Sequence, residues 1–163
     1  MTKPTLETIF EKRRGVSRIE VRHGYAQVHV SRIESKVMEE RLRILTAVAD
    51  AEVSIDFLKL TPTGLSFMVP EARAGAVEEA LSQTGVHYTV RSGRSIVLVY
   101  AVNIRDEEGM IASILRRTIA TCARVDHVGD MHDRLLMVVK TEDVERVVDQ
   151  FRTADEELEI AVR

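Results

Sequence analysis

The feature that most constrains this chain is that its second half repeats its first. The stretch VADAEVSIDFLKLTPTGLSFMVP, Val48 to Pro70, is echoed by ATCARVDHVGDMHDRLLMVVK, Ala120 to Lys140. Under a shift of 70, Leu65, Phe67 and Val69 fall on Leu135, Met137 and Val139, Val77 and Leu81 on Val147 and Phe151, and Val90 on Ile160. Upstream of the hairpin the shift becomes 72, placing Val53 on Val125 and predicting a longer first hairpin loop around Thr61 to Gly64. A duplicated supersecondary unit fixes the architecture before any single residue does.

Each unit carries the order strand, helix, strand, strand, helix, strand. In the first, Ala26, Val28 and Val30 alternate with polar residues, and Met38, Leu42, Leu45 and Ala49 recur at helical spacing. Ile55 and Phe57 resume the alternation, Pro62 and Gly64 mark a turn, and Leu65, Phe67 and Val69 form the next strand. A short helix over Ala74, Val77, Ala80 and Leu81 ends at Gly85. In the second unit, Ile111, Ile114, Leu115, Thr118, Ile119 and Cys122 make one helical face, which predicts a buried, inert Cys122. The fold class expected is α+β: two ferredoxin-like βαββαβ modules in tandem, antiparallel sheets with helices on one face. The expected divisions are a basic arm over 1–24, a first module over 25–93 and a second over 94–163. IVLVY and LLMVV are apolar at both parities, so both faces of that sheet need cover. Helices supply one; the sibling module or a second chain must supply the other, and a homodimer is expected.

Composition narrows the function classes. Hydrophobic residues make up 45% of 163, so a packed core is expected, but aromatics are only 4% and Trp is absent, which argues against base-stacking platforms. The net charge is −3, giving no field that would gather nucleic acid or an anionic membrane. Residues 1–24 are the exception, with six Lys or Arg against three Glu. One cysteine excludes an intrachain disulfide and fits a reducing cytoplasm. No signal-peptide-length apolar stretch opens the sequence, and the longest apolar run, Ile96 to Val102, is too short to cross a bilayer.

The residues also carry a resemblance. ADAEVSID followed by LSFMVP resembles the first regulatory ACT repeat of aspartokinases, with its ADA-x-(I/V)-N-ID and SFTVP. Gly109 to Phe151 follows the second ACT repeat without a gap, TEDVERVV matches the acidic entry to its last helix, and GVSRIEVRHGYAQVHV resembles the strand and linker preceding the first repeat. The resemblance implies a free-standing regulatory region similar to a separately made β subunit. It implies no catalysis, no cofactor, an amino-acid effector bound between modules, and an enzyme or kinase subunit as partner. No kinase portion or glycine-rich phosphate loop is expected.

In that family the effector meets the loop from a module's first strand into its first helix and the second strand of a facing module. In the first module the loop is SRIESKVM, where Ser35 and Lys36 are the candidates. The family's Asp-x-Pro-Gly is missing, the glycine position falling on Met38, and Ser35 is expected as a plain helix cap. In the second the loop is NIRDEEGMI, with Asp106, Glu107 and Gly109 as candidates. Three acidic residues there disfavour a carboxylate and suit a cationic group. The second-strand candidates are Asp56, then Asp126, His127, Gly129 and Asp130. DHVGDMHD also crowds potential metal ligands, but strand alternation separates them and no metal site is expected. No nucleophile–base pair stands out. The rival reading is a ligand-free dimerisation scaffold that docks a protein partner.

Overall fold

The computed structural model describes residues 15–153 and 158–163. Its elements run β1 (Val16–Ser31), α1 (Val37–Asp50), β2 (Asp56–Thr61), β3 (Gly64–Pro70), α2 (Ala74–Ser82) and β4 (His87–Ala101). They continue as α3 (Met110–Ala120), β5 (Val125–Asp130), β6 (Arg134–Lys140), α4 (Val144–Arg152) and β7 (Glu159–Val162). The fold class is α+β, with two βαββαβ modules sharing one seven-stranded sheet ordered β2-β3-β1-β4-β6-β5, and β7 added beside β1.

The modules are joined by two long strands. β1 and β4 pair antiparallel from Val16↔Ala101 to Ser31↔His87. The ladder is interrupted by register shifts between Arg22 and Gln27, where Gly24 and Gly93 adopt positive φ. Beyond the interruption, His87–Val90 serves the first module; before it, Ile96–Ala101 serves the second. The last strand expected of the first unit, here His87–Val90, and the first of the second, IVLVY, are therefore one bent strand. Residues 16–22, expected as the end of the arm, are the first half of β1 and lie between β4 and β7, with Arg18↔Glu159 and Val21↔Val162 in parallel register with β7. Residues 1–14 of the expected arm lie outside the described residues.

Three apolar clusters hold this arrangement. One packs α1 and α2 on Ala26, Val28, Val30, Leu65, Phe67 and Val69. A second packs α3 and α4 on Ile19, Val21, Val97, Val99, Leu135, Met137 and Val139. The third contains no helix residue: Met68 of the first module meets Ile96, Leu98, Leu136 and Val138 of the second, with Tyr25, Phe57 and Tyr100 around them. The face left bare by the second module's helices is thus covered by the sibling module, within one chain. That is why its strands are apolar at both parities.

Local chemistry corrects several expectations. The buried stripe of α1 is Ile44 and Val48; Met38 and Leu42, expected on that stripe, are 67% and 66% exposed. On α3, Ile114 and Thr118 are buried, but Ile119 and Cys122 are exposed. Cys122 lies past the helix end at φ 57, where the chain turns left-handed and the side chain swings out to solvent. The first hairpin joins Thr61↔Gly64 across two residues, and the second spans three, 131–133, so the first loop is not the longer. The shift does not in fact change there: Glu52 and Cys122, left-handed past the two helix ends, are 70 apart, and so are Leu60 and Asp130, which face Leu65 and Leu135, so Val125 does not correspond to Val53. Gly64 is required sterically: a Cβ there would sit 2.0 Å from the Val30 carbonyl oxygen.

Candidate functional site

The loop from β4 into α3 is built around two left-handed residues, Asn103 at φ 54 and Gly109 at φ 78. Ile104 is 1% exposed and pins the loop to the core. The amides of Asp106 and Glu107 both donate to the Asn103 carbonyl, closing a tight turn. Gly109 is the N-cap of α3, and no side chain, that of Asp106 included, caps the helix. The Met110 amide that opens α3 donates to the Glu107 carbonyl at 3.2 Å. Arg105, overlooked in the sequence, donates to Asp130 at 3.1 Å and ties the loop to the end of β5. Asp106, Glu107, Gly109 and Asp130 are therefore brought into one neighbourhood.

The corresponding loop of the first module lies between Arg32 at φ 61 and Lys36 at φ 47. Lys36, not Met38, occupies the glycine's left-handed place before the helix, and it pairs with Glu39 at 3.6 Å. No side chain caps α1, so Ser35 is not the expected cap. Ser35 instead lines a cavity of about 210 Å³ with Arg32, Glu34, Glu40, Arg43 and His87. Part of its wall is fixed by Arg43, which donates to Glu40 at 2.5 Å and to the Thr84 carbonyl at 3.0 Å. Both charge signs are present, a lining suited to a zwitterion.

The second-strand candidates mostly serve the seam between modules. Asp126 is met by Arg94 at 2.5 Å, Arg124 at 3.1 Å and Arg91 at 3.6 Å. Burial pushes its carboxyl up, but hydrogen bonds from Arg94 and Arg124 and their charge outweigh this and hold it below the usual carboxylate range. Arg94 and Arg124 thus occupy two of the roughly four acceptor positions of this carboxylate. The signal overlooked was Arg94 itself, a charge placed directly before the apolar run SIVLVY.

His127 reaches across the seam to the Ser66 hydroxyl at 2.9 Å and meets the Phe57 ring edge-on at 6.1 Å. Ser66 donates its one proton to the Val28 carbonyl at 3.2 Å, so His127 Nε2 must be the donor in that pair. Burial, then the Lys59 charge, push the His127 imidazole down. Gly129 packs under Phe57, where a Cβ would lie 2.7 Å from the ring; its role there is close approach. Asp56 is exposed at the start of β2. Burial, then the Asp56 carboxylate, raise the Tyr25 hydroxyl, which places Asp56 at the bend rather than beside either loop. The ten candidates therefore divide among the two loops and the seam. Among the described residues no group of three or more His, Cys, Asp or Glu could hold a metal ion.

No protein-family model and no curated protein sequence matches the chain. Solved structures do. The regulatory subunit of aspartate kinase from Thermus thermophilus, in its ligand-free form, aligns with a TM-score of 0.73 at 16% identity, over 86% of this chain and 99% of that one. A structure of aspartokinase alpha and beta subunits aligns at 0.77 and 20% identity, over 86% of this chain and 98% of that one. E. coli aspartokinase III in complex with lysine and aspartate aligns at 0.69 and 12% identity, over 88% of this chain but 34% of that one. In fold, this chain is similar along nearly the whole length of a free-standing aspartate kinase regulatory subunit, two ACT modules in tandem.

Proposed function

We propose that this chain is a non-catalytic regulatory protein of the cytoplasm that binds an amino acid or a similar small metabolite and passes the signal on by rearranging a homodimer. The observation that carries this reading is the likeness, end to end, to separately made regulatory subunits of aspartate kinase. It is supported by the Gly109 loop, whose acidic residues Asp106 and Glu107, next to the left-handed N-cap of α3, suit an effector's ammonium group. A kinase subunit is the partner this reading implies, with aspartate-family biosynthesis as its setting. Among the described residues no helix is long and apolar enough to cross a membrane, and no nucleic-acid partner is invoked. Effector binding biases the dimer only by its difference in affinity between the two arrangements.

Homodimerisation draws support from the edge of the first module. Leu58 and Leu60 on edge strand β2 are 45% and 50% exposed, in the same module as the exposed Met38 and Leu42 of α1. A second reading, a dimerisation scaffold without ligand that docks a protein partner, is favoured by Asp126 being engaged by three arginines and by Lys36 standing where the second loop has glycine.

A thermal-shift screen against the twenty amino acids at millimolar concentration separates the two. A ligand at a hundred times its Kd adds about 2.7 kcal/mol of stability. One clear hit, lost in Gly109→Val with the unfolding transition otherwise intact, establishes the effector reading at the α3 loop. A flat response across the panel transfers the case to the scaffold.

A further inference from the structure

Insertion of β1 beside β7 gives the second module a fifth strand. Strands lie about 4.8 Å apart and packed helices about 10 Å apart. Two helices therefore cover four strands, as α1 and α2 do, and leave a fifth partly bare. That strand is β7. Between it and α4 runs a groove of about 400 Å³ floored by Val144, Val148, Ile160 and Val162, with Val162 still 62% exposed. Glu142 and Glu145 lie on the rim. Lys140 pairs with Glu142, and Arg152, also on the rim, pairs with Asp149 at 2.6 Å. Glu145 is exposed and has no ion-pair partner among the described residues.

We propose that this groove is the docking site of the chain's own first fourteen residues. The point of exit supports it: β1 starts at Val16, and its parallel register with β7 starts two residues later at Arg18↔Glu159. Val16, to which the first fourteen residues connect through Gly15, therefore lies beside the start of the bare strand. Reach supports it, because fourteen residues extend about 45 Å while a four-residue strand is only about 13 Å long. Composition supports it as well. Leu6, Ile9 and Phe10 are apolar side chains of the size the floor lacks, and Lys3, Lys12, Arg13 and Arg14 outnumber Glu7 and Glu11, complementing Glu145. The excess positive charge of this segment then has a destination within the molecule, and a protein partner that recognises the segment must first draw it out.

Limited tryptic digestion of the full-length protein tests this, since trypsin cuts after Lys12, Arg13 and Arg14. Docking makes these bonds slow to cleave. Phe10→Ser and Val162→Asp should each speed cleavage there about tenfold, the double variant being no faster than either single one. Glu145→Arg, a surface change that spares the core, should act in the same direction should Val162→Asp disturb folding. Wild-type cleavage as fast as that of the variants overturns the proposal. Protection that grows with protein concentration overturns it too, by assigning the groove to a second copy.

Discussion

Left-handed residues show how single positions were both conserved in role and altered in chemistry between the two modules. Glu52 at φ 55 and Cys122 at φ 57 stand just past the ends of α1 and α3, and Lys36 and Gly109 stand just before their starts. Backbone geometry is repeated while the side chain is not. Only Gly109 meets its φ without steric strain, since an L-residue in this region is disfavoured by roughly 1–2 kcal/mol. Cys122→Gly should therefore stabilise the protein by about 0.5–1 kcal/mol, the gain being reduced by the greater freedom of glycine in the unfolded chain. Urea unfolding with an unchanged m-value would register it as a higher midpoint. A lower midpoint would mean that Cys122, although exposed, makes contacts that matter.

Among elements, β5 is the one whose role differs most between its sequence and its setting. Polar and short, VDHVGD resembles a solvated strand, yet Asp126, His127 and Gly129 each bind it to something across the seam. Because His127 titrates lower in the folded protein than in the unfolded chain, its contribution is complete above the unfolded value near 6.5. As pH falls through that value the unfolded chain takes up the proton first, and stability is lost. The wild-type protein should thus be less stable at pH 5.5 than at pH 7.5, and His127→Gln should flatten that slope. Equal slopes in the two proteins would remove His127 from the account. The carboxyls of Glu20, Asp126 and Asp143 are all held low, so their contributions fade only at more acid pH.

For the whole molecule, the face-to-face packing of two modules changes the argument for a dimer. A second chain is not needed to cover the apolar face of the second module, since Met68 and Phe57 already lie on it. On the first module, exposed apolar side chains remain at the β2 edge and on α1. An edge strand with exposed leucines is an open template for pairing. Leu60→Lys should convert a dimer to a monomer in sedimentation experiments while leaving the circular dichroism spectrum unchanged. A dimer that survives the substitution would place its interface elsewhere.

The sequence by itself determined the modules, their element order, the hairpins and the apolar residues of the core strands, because these follow from local periodicity and from the repeat. The family resemblance in the sequence singled out Gly109, and the backbone there is left-handed. Only the tertiary structure decided that β1 and β4 each run through both modules, that the helix-free faces close on one another, and that Asp126 and His127 hold that seam. Strand pairing, sheet bending and the partner of a charge depend on residues distant in the chain: Arg94 meets Asp126, and Ser66 meets His127, through contacts that no local pattern records. Periodicity shows that a residue has a buried face; what lies against that face is fixed only when the chain closes on itself.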